Sequence, residues 1–301
     1  MTTRQFLRIV EIRTKIVSLS SFLIGTAYAG YRPVELDPVI AVLFLIALLC
    51  VDMGTTAFNS FFDYMRGVDT KTVNTERDKV LVHDGVAPGV ALLVSLGLFA
   101  GAVVVGLIVG VLSSLLVVLV GAAGMAVGFL YNGGPLPISR TPVGELFAGV
   151  FLGGIVVTLA YAVHAEAVTG DVLLVSLPST LFVASILTTN NTCDVDGDRA
   201  AGRRTLAVLL GRHAARWIIY AQGMAAYGVL AWLTAGGTLP EITWTVVVAG
   251  VPASAAVYRS MHRRGYGHET KGRSMQGIIR AFAIYTVLFA GALVAGVLLE
   301  G

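Results

Sequence analysis

The sequence predicts an all-α protein that crosses a membrane many times. Of its 301 residues, 56% are hydrophobic and only 13% are charged, against about 25% charged in an ordinary soluble domain. With a mean hydropathy of +0.81, the chain has too little polar surface to cover a globule of its size. Its apolar residues come in unbroken runs. Membrane-barrel strands alternate over about ten residues, whereas runs near 20 residues suit helices that satisfy their own backbone in lipid. The basic residues, finally, gather in alternate connections between the runs. The expected organisation is a single membrane-embedded domain over residues 1–301.

About nine spans are expected, at 16–31, 39–60, 89–112, 114–131, 143–163, 172–189, 214–235, 242–258 and 278–299. The first is the weakest, because Arg4, Arg8, Arg13 and Lys15 precede a short run ending in Ala27-Tyr28-Ala29, the pattern of a signal peptide and its cleavage site. Glu11 within a long basic segment argues against that reading. The N-terminus and the connections near 61–88, 132–142, 190–213 and 259–277 hold, with their flanks, 20 of the 21 Lys and Arg residues. The connections near 32–38, 164–171 and 236–241 hold only Arg32. By the positive-inside rule the basic set is cytoplasmic, and the N-terminus lies inside. The plasma membrane is the expected location, and no nucleic-acid partner is expected. Cys50 falls in the second span and Cys193 in a cytoplasmic connection, where thiols stay reduced. The five scattered histidines offer no zinc spacing.

Acid concentrates in two segments, "FNSFFDYMRGVDT" at 58–70 and "TTNNTCDVDGDRAAGRRTLAV" at 188–208. Each follows an even-numbered span, so both lie at the cytoplasmic face. Asn59 and Asp63 are four apart, on one helical face. Asn190, Asp194 and Asp198 repeat that spacing, and Asn191 borders the same stripe. Asp196 lies about 200° around the helix from Asp194 and is expected to be solvated or paired with an arginine. Asp69 follows Gly67, where the helix is free to end. Asp63 and Asp194 are 131 positions apart, the separation that duplication of a four-helix unit would leave.

Like charges four apart repel on a helix, so Asp194 over Asp198 needs a cation. Hard oxygen donors without His or Cys favour Mg²⁺, which takes one or two carboxylates together with substrate phosphate oxygens. Two acidic segments of this kind suit a metal-bound diphosphate, with Arg66, Lys71, Arg140, Arg199, Arg203 and Arg204 as candidates for the remaining charge. Arg203 and Arg204 are equally well read as orientation charges. Asp52, inside the second span, is either functional or one side of a helix-to-helix hydrogen bond.

These residues match a family pattern. The chain resembles the UbiA superfamily of intramembrane prenyltransferases, and within it the MenA-type branch that prenylates 1,4-dihydroxy-2-naphthoate for menaquinone. "EIRTKIVSLSSFLIGTAYAGYR" resembles the first helix of the family, "DMGTTAFNSFFDYMRGVDT" its first Asp-rich motif and "YNGGPLPISRTPVGELFAGVFLG" the entry to its fifth helix. "NNTCDVDGDRAAGRRTLAVLLGR" resembles the second Asp-rich motif. The general superfamily pattern would put aspartates where this chain has Ser60 and Gly67. Gly67 with Asp69 fits the D-Y-x-x-G-x-D form of the menaquinone branch, whereas Ser60 is a real difference. The Y-x-x-x-K of many members is replaced by Tyr131 and Pro135, within the G-G-P form of that branch.

The resemblance implies a UbiA-type helix bundle and Mg²⁺ held by Asp63, Asp69, Asp194 and Asp198, with Asp63, Asp194 and Asp198 catalytic. Asn59 and Asn190 or Asn191 complete the coordination or bind phosphate oxygens, and Arg66, Lys71, Arg140, Arg199 and Arg203 contact diphosphate. It also implies a polyprenyl diphosphate donor, an aromatic acceptor and a lipid tail running between helices. Tyr64, Tyr131 and Tyr161 either shield an allylic cation or simply pack. Three rivals stand beside this reading. One is another UbiA-type acceptor or cyclisation of the donor, and a second is an ion-coupled transporter, whose site belongs near the midplane. The third, a CDP-alcohol phosphotransferase, fails because Ala201 stands where its motif needs arginine.

Overall fold

The computed structural model of the chain describes residues 1–68 and 79–300. Asp69 and Lys71 lie outside the described residues. Among the described residues every regular element is helical. The order is α1 (Thr3–Ile9), α2 (Ile16–Tyr31), α3 (Pro38–Met65), α4 (Val80–His83), α5 (Pro88–Leu112) and α6 (Leu115–Asn132). There follow α7 (Gly144–Ala148), a π-helical segment (Gly149–Ile155), α8 (Val156–Ala165), α9 (Gly170–Cys193), α10 (Val195–Ala200), α11 (Leu206–Ala235), α12 (Trp244–Arg264) and α13 (Lys271–Glu300).

Eight of the helical stretches among the described residues are long and apolar enough to cross a bilayer. They are α3, α5, α6, the run Gly144–Ala165, α9, α11, Glu241–Arg264 and His268–Glu300. The remaining expected span, the first at 16–31, is a helix, α2, but it has 16 residues. At 1.5 Å per residue that is about 24 Å, short of the roughly 30 Å hydrocarbon core. Among the described residues eight spans are therefore found, and the expected count of nine is not confirmed. Pro38 and Pro88 each stand at the first position of their helix, where a missing N–H costs nothing.

Boundaries moved where polar residues proved compatible with helix. The sixth expected span ends at 189, yet α9 runs on to Cys193. Thr188, Thr189 and Thr192 each turn their hydroxyl back to the carbonyl four residues earlier, at 2.8, 2.8 and 2.6 Å. The helix thus satisfies its own polar side chains, and Cys193 is a buried helix-end thiol and not a loop residue.

The chain divides into two compact units, Met1–Ser18 with Pro38–Ser139, and Leu19–Asp37 with Arg140–Gly301. In the first, Phe58 of α3 meets Phe99 of α5 and Phe129 of α6 edge-on, with ring centroids 5.1 and 5.4 Å away. A buried ion pair lies deeper on the same helix. Lys15 Nζ donates to Asp52 Oδ1 at 2.6 Å and to Thr56 Oγ1 at 2.7 Å, and Ser18 Oγ donates to the other Asp52 oxygen. Asp52 is thus fully engaged in a helix-to-helix contact. In the second unit the π segment packs on α9. A Cβ on Gly149 or Gly153 would lie 2.6 Å from the carbonyl oxygen of Thr180 or Ser179, so this pair, four apart, lets two backbones touch as small residues do between membrane helices. Tyr285, Phe182 and Tyr227 fill the core between α9, α11 and α13, and Tyr285 Oη and Ser179 Oγ are 2.9 Å apart. Ala29 of the signal-like tripeptide is fully buried, and the Tyr28 and Tyr161 rings lie 5.5 Å apart, tilted at 38°.

Candidate active site

In the first unit, Asn59 and Asp63 sit half-buried on the last turns of α3, as their spacing requires. The helix stops in a defined way. Gly67 takes φ +67°, Val68 N–H donates to the Asp63 carbonyl at 2.9 Å, and Gly67 N–H donates to the Tyr64 carbonyl at 3.1 Å. That pair of bonds across a left-handed residue is a Schellman closure. A residue with a Cβ is strained there, which gives a physical reason for glycine where the superfamily pattern has aspartate. Ser60 is buried and its hydroxyl donates to the Ile9 carbonyl at 3.3 Å. Arg66 spreads its guanidinium over the carbonyls of Asn132 and Gly134, at 2.5 and 2.9 Å, with Phe62 beneath it. It thereby caps the C-terminal end of α6.

In the second unit, Asp194 is the hinge between α9 and α10. Backbone bonds nevertheless continue through it, from Asp194 N–H to the Asn190 carbonyl at 3.2 Å and from Asp198 N–H to the Asp194 carbonyl at 2.8 Å. The expected four-residue register therefore survives the helix break. Asp194 is half-buried and Asp198 buried, while Asp196 points to solvent and pairs with Arg212 at 3.0 Å. Each inner carboxylate has a protein cation. Lys271 Nζ lies 2.8 Å from Asp194 Oδ2, with His268 Nδ1 3.8 Å from Oδ1. Arg203 lies 3.0 Å from Asp198 Oδ1. Asp198 Oδ2 is buried and accepts no hydrogen bond. Burial raises the pKa of this carboxyl above the usual range; the Arg203 charge works against burial and the Asp194 charge adds to it.

The arginines divide by what they hold. Arg140 Nη2 donates to the Ala201 carbonyl at 2.6 Å, and its own carbonyl accepts from Arg204 N–H at 2.9 Å. It pins the turn that follows α10. Arg199 is exposed and reaches the Val208 carbonyl at 3.5 Å. Asn190 is half-buried, whereas Asn191 is buried and donates Nδ2–H to Glu145 Oε1 at 2.8 Å.

Two residues outside the acidic segments touch the second of them, Lys271 at Asp194 and Glu145 at Asn191. By sequence Lys271 is one of the basic residues of the connection near 259–277. Glu145 is the one acid inside the apolar stretch that follows "GGP", and an ionisable residue within a span is itself a functional signal. Among the described residues no three His, Cys, Asp or Glu side chains come together as a metal cluster. The donor set still fits Mg²⁺, because that ion needs only one or two carboxylates when phosphate oxygens complete its shell, and the unpartnered Asp198 oxygen is a vacant hard donor.

The model of the UbiA prenyltransferase family matches residues 18–275. The chain belongs to the UbiA prenyltransferase family. It is 33% identical over 214 residues to the 1,4-dihydroxy-2-naphthoate octaprenyltransferase of Bacillus subtilis, covering 71% of this chain and 68% of that one. It is 31% identical over 196 residues to the human UbiA prenyltransferase domain-containing protein 1, covering 64% and 57% respectively. Among solved structures, a UbiA homolog from Archaeoglobus fulgidus bound to GPP and Mg²⁺ aligns with a TM-score of 0.70 at 14% identity, over 97% of this chain and 99% of that one. The apo UbiA homolog of Aeropyrum pernix K1 aligns at 0.68 and 20% identity, over 94% and 98%. The sequence expectation of a UbiA-type helical membrane fold is borne out. This prenyltransferase is an integral membrane protein.

Proposed function

We propose that this prenyltransferase moves a polyprenyl group from its diphosphate to 1,4-dihydroxy-2-naphthoate, with Mg²⁺, at the cytoplasmic face of the plasma membrane. The observation that carries the reading is the pair Asp194 and Asp198, one helical turn apart, each matched to its own cation and one bearing a buried oxygen without a partner. The 33% identity to a naphthoate octaprenyltransferase favours that acceptor. The segregation of 20 of the 21 basic residues supports the orientation.

Asp63, Asp69, Asp194 and Asp198 would hold Mg²⁺, with Asn59 and Asn190 or Asn191 adding amide oxygens. Bound there, the ion neutralises the diphosphate and eases its departure. Lys271 and Arg203 place positive charge beside Asp194 and Asp198, where they offset the charge that builds on the leaving diphosphate. Arg140 acts one step removed, by fixing the turn that carries Arg203. The allylic C–O bond breaks with its electron pair going to diphosphate. A ring carbon of the acceptor bonds to the allylic carbon, and the carboxylate leaves as CO₂, its bonding pair restoring the ring. Apolar helices exclude water from the allylic cation.

The test is to incubate membranes carrying the protein with Mg²⁺, prenyl diphosphates of several lengths and a panel of aromatic acids including dihydroxynaphthoate. Mass spectrometry of the lipid extract should show a prenylated, decarboxylated naphthol. A product from another acid, or a cyclised prenyl chain, would overturn the acceptor and leave the family intact.

A further inference from the structure

We propose that Glu145 is a positioning residue for the second acidic motif, acting through Asn191. This rests on the reading that the motif binds metal and diphosphate. Glu145 is 2% exposed and Asn191 is 6% exposed. The carboxylate accepts from Asn191 Nδ2 at 2.8 Å, and its other oxygen, Oε2, has no partner.

The chemistry of the amide makes this contact directional. An asparagine side chain has a donor end and an acceptor end, and rotation by half a turn exchanges them. A carboxylate only accepts, so it holds the NH₂ end and turns the carbonyl end of Asn191 away from Glu145. Only that carbonyl end can serve a cation. Without the carboxylate the amide is free to flip, and a flipped amide would present N–H groups where a hard acceptor is needed. A buried acid is a costly means of filling space, and its place on α7, just before the π-helical segment, is a helix irregularity of the kind found at functional sites. Groups that orient a metal-binding side chain change metal affinity about 10–100-fold when removed.

The experiment uses the full-length protein in detergent, with inorganic diphosphate present, and measures Mn²⁺ binding by electron paramagnetic resonance beside Mg²⁺-dependent turnover. Glu145→Met keeps the volume and removes the acceptor; Glu145→Gln keeps an acceptor oxygen and removes the charge. Glu145→Met should weaken Mn²⁺ binding at least about tenfold and raise the Mg²⁺ concentration for half-maximal turnover in step. Glu145→Gln should restore most of both. Adding Asn191→Ala to Glu145→Met should cost little more than Asn191→Ala alone, because both changes remove one contact. Unchanged Mn²⁺ binding in Glu145→Met, or additive losses in the double variant, would overturn the positioning role. Loss in Glu145→Gln equal to that in Glu145→Met would also overturn it, by showing that charge and not orientation matters. If Glu145→Met does not fold, Glu145→Leu takes its place, and the comparisons with Glu145→Gln and with Asn191→Ala are read in the same way. Wild-type protein that binds no Mn²⁺, or binds it equally after Asp194→Asn, would instead defeat the metal reading on which this rests.

Discussion

Asp63 and Asp198 occupy the same position in two copies of one backbone device. Each is the third residue from the end of its helix, and the carbonyl of each accepts the N–H five residues on, from Val68 and Arg203 respectively, at 2.9 Å. A left-handed glycine makes the turn in both, Gly67 at φ +67° and Gly202 at φ +69°. The second bond also repeats, from Gly67 N–H to Tyr64 and from Gly202 N–H to Arg199, each at 3.1 Å. The two closures are 135 positions apart.

A side chain at either glycine should therefore act by backbone strain. No atom lies within 4 Å of a Cβ built on Gly67, so a clash is not the cause there. Gly67→Ala and Gly202→Ala should each cost about 1–2 kcal/mol and reduce turnover. Asparagine, which tolerates this conformation better, should cost less. Gly197→Ala, in the helix of α10 with open space around it, should be neutral. Melting curves in detergent and initial rates compare the three.

Among the aspartates of the second segment, position decides the outcome. Asp194→Asn and Asp198→Asn should abolish turnover while leaving the protein inserted. Asp196→Ala should retain most of it, because Asp196 is exposed and holds only an exposed Arg212, a pairing of about 0–1 kcal/mol. An inactive Asp196→Ala beside an active Asp198→Asn would refute the assignment.

The Lys15–Asp52 pair predicts a stability effect remote from chemistry. Its side chains are 6% and 10% exposed, and removing one partner of a buried pair costs about 3–5 kcal/mol. Lys15→Met should lower the melting temperature sharply. Adding Asp52→Leu, which removes the orphaned charge, should recover much of the loss.

Close packing in the second unit gives a steric prediction. A Cβ on Gly153 would lie 2.6 Å from the Ser179 carbonyl oxygen and 2.7 Å from the Thr180 Cα, both backbone atoms that cannot swing aside. Gly153→Leu should destabilise the contact with α9 and reduce the folded yield, while Gly170→Ala, in open space, should not.

Asp198 predicts a pH dependence in metal-free protein. Its folded pKa lies above the ordinary carboxylate value because burial disfavours the charged form. The folded state then binds more protons than the unfolded one between the two values, so stability from this group rises as pH falls through that window. Metal-free wild type should gain melting temperature on acidification relative to Asp198→Asn, which lacks the titrating group. Equal slopes in the two proteins would exclude the effect.

Local periodicity made much of this molecule legible. Apolar run length gave the helices, and the four-residue spacing put Asn190, Asp194 and Asp198 in one register and Asp196 outside it, because backbone hydrogen bonding acts over four residues and is written in consecutive sequence. Packing decided what one sequence cannot display. The cation of Asp194 is Lys271, 77 positions away, and Asn191 meets Glu145, 46 positions earlier. Arg66 and Arg140, equal candidates for diphosphate by charge, also hold helix-end and loop carbonyls, which charge alone did not indicate. Spacing determines which residues share a face. Which partner that face meets depends on how distant helices close around it, and a buried carboxylate or guanidinium takes whatever counter-group that closure brings within reach.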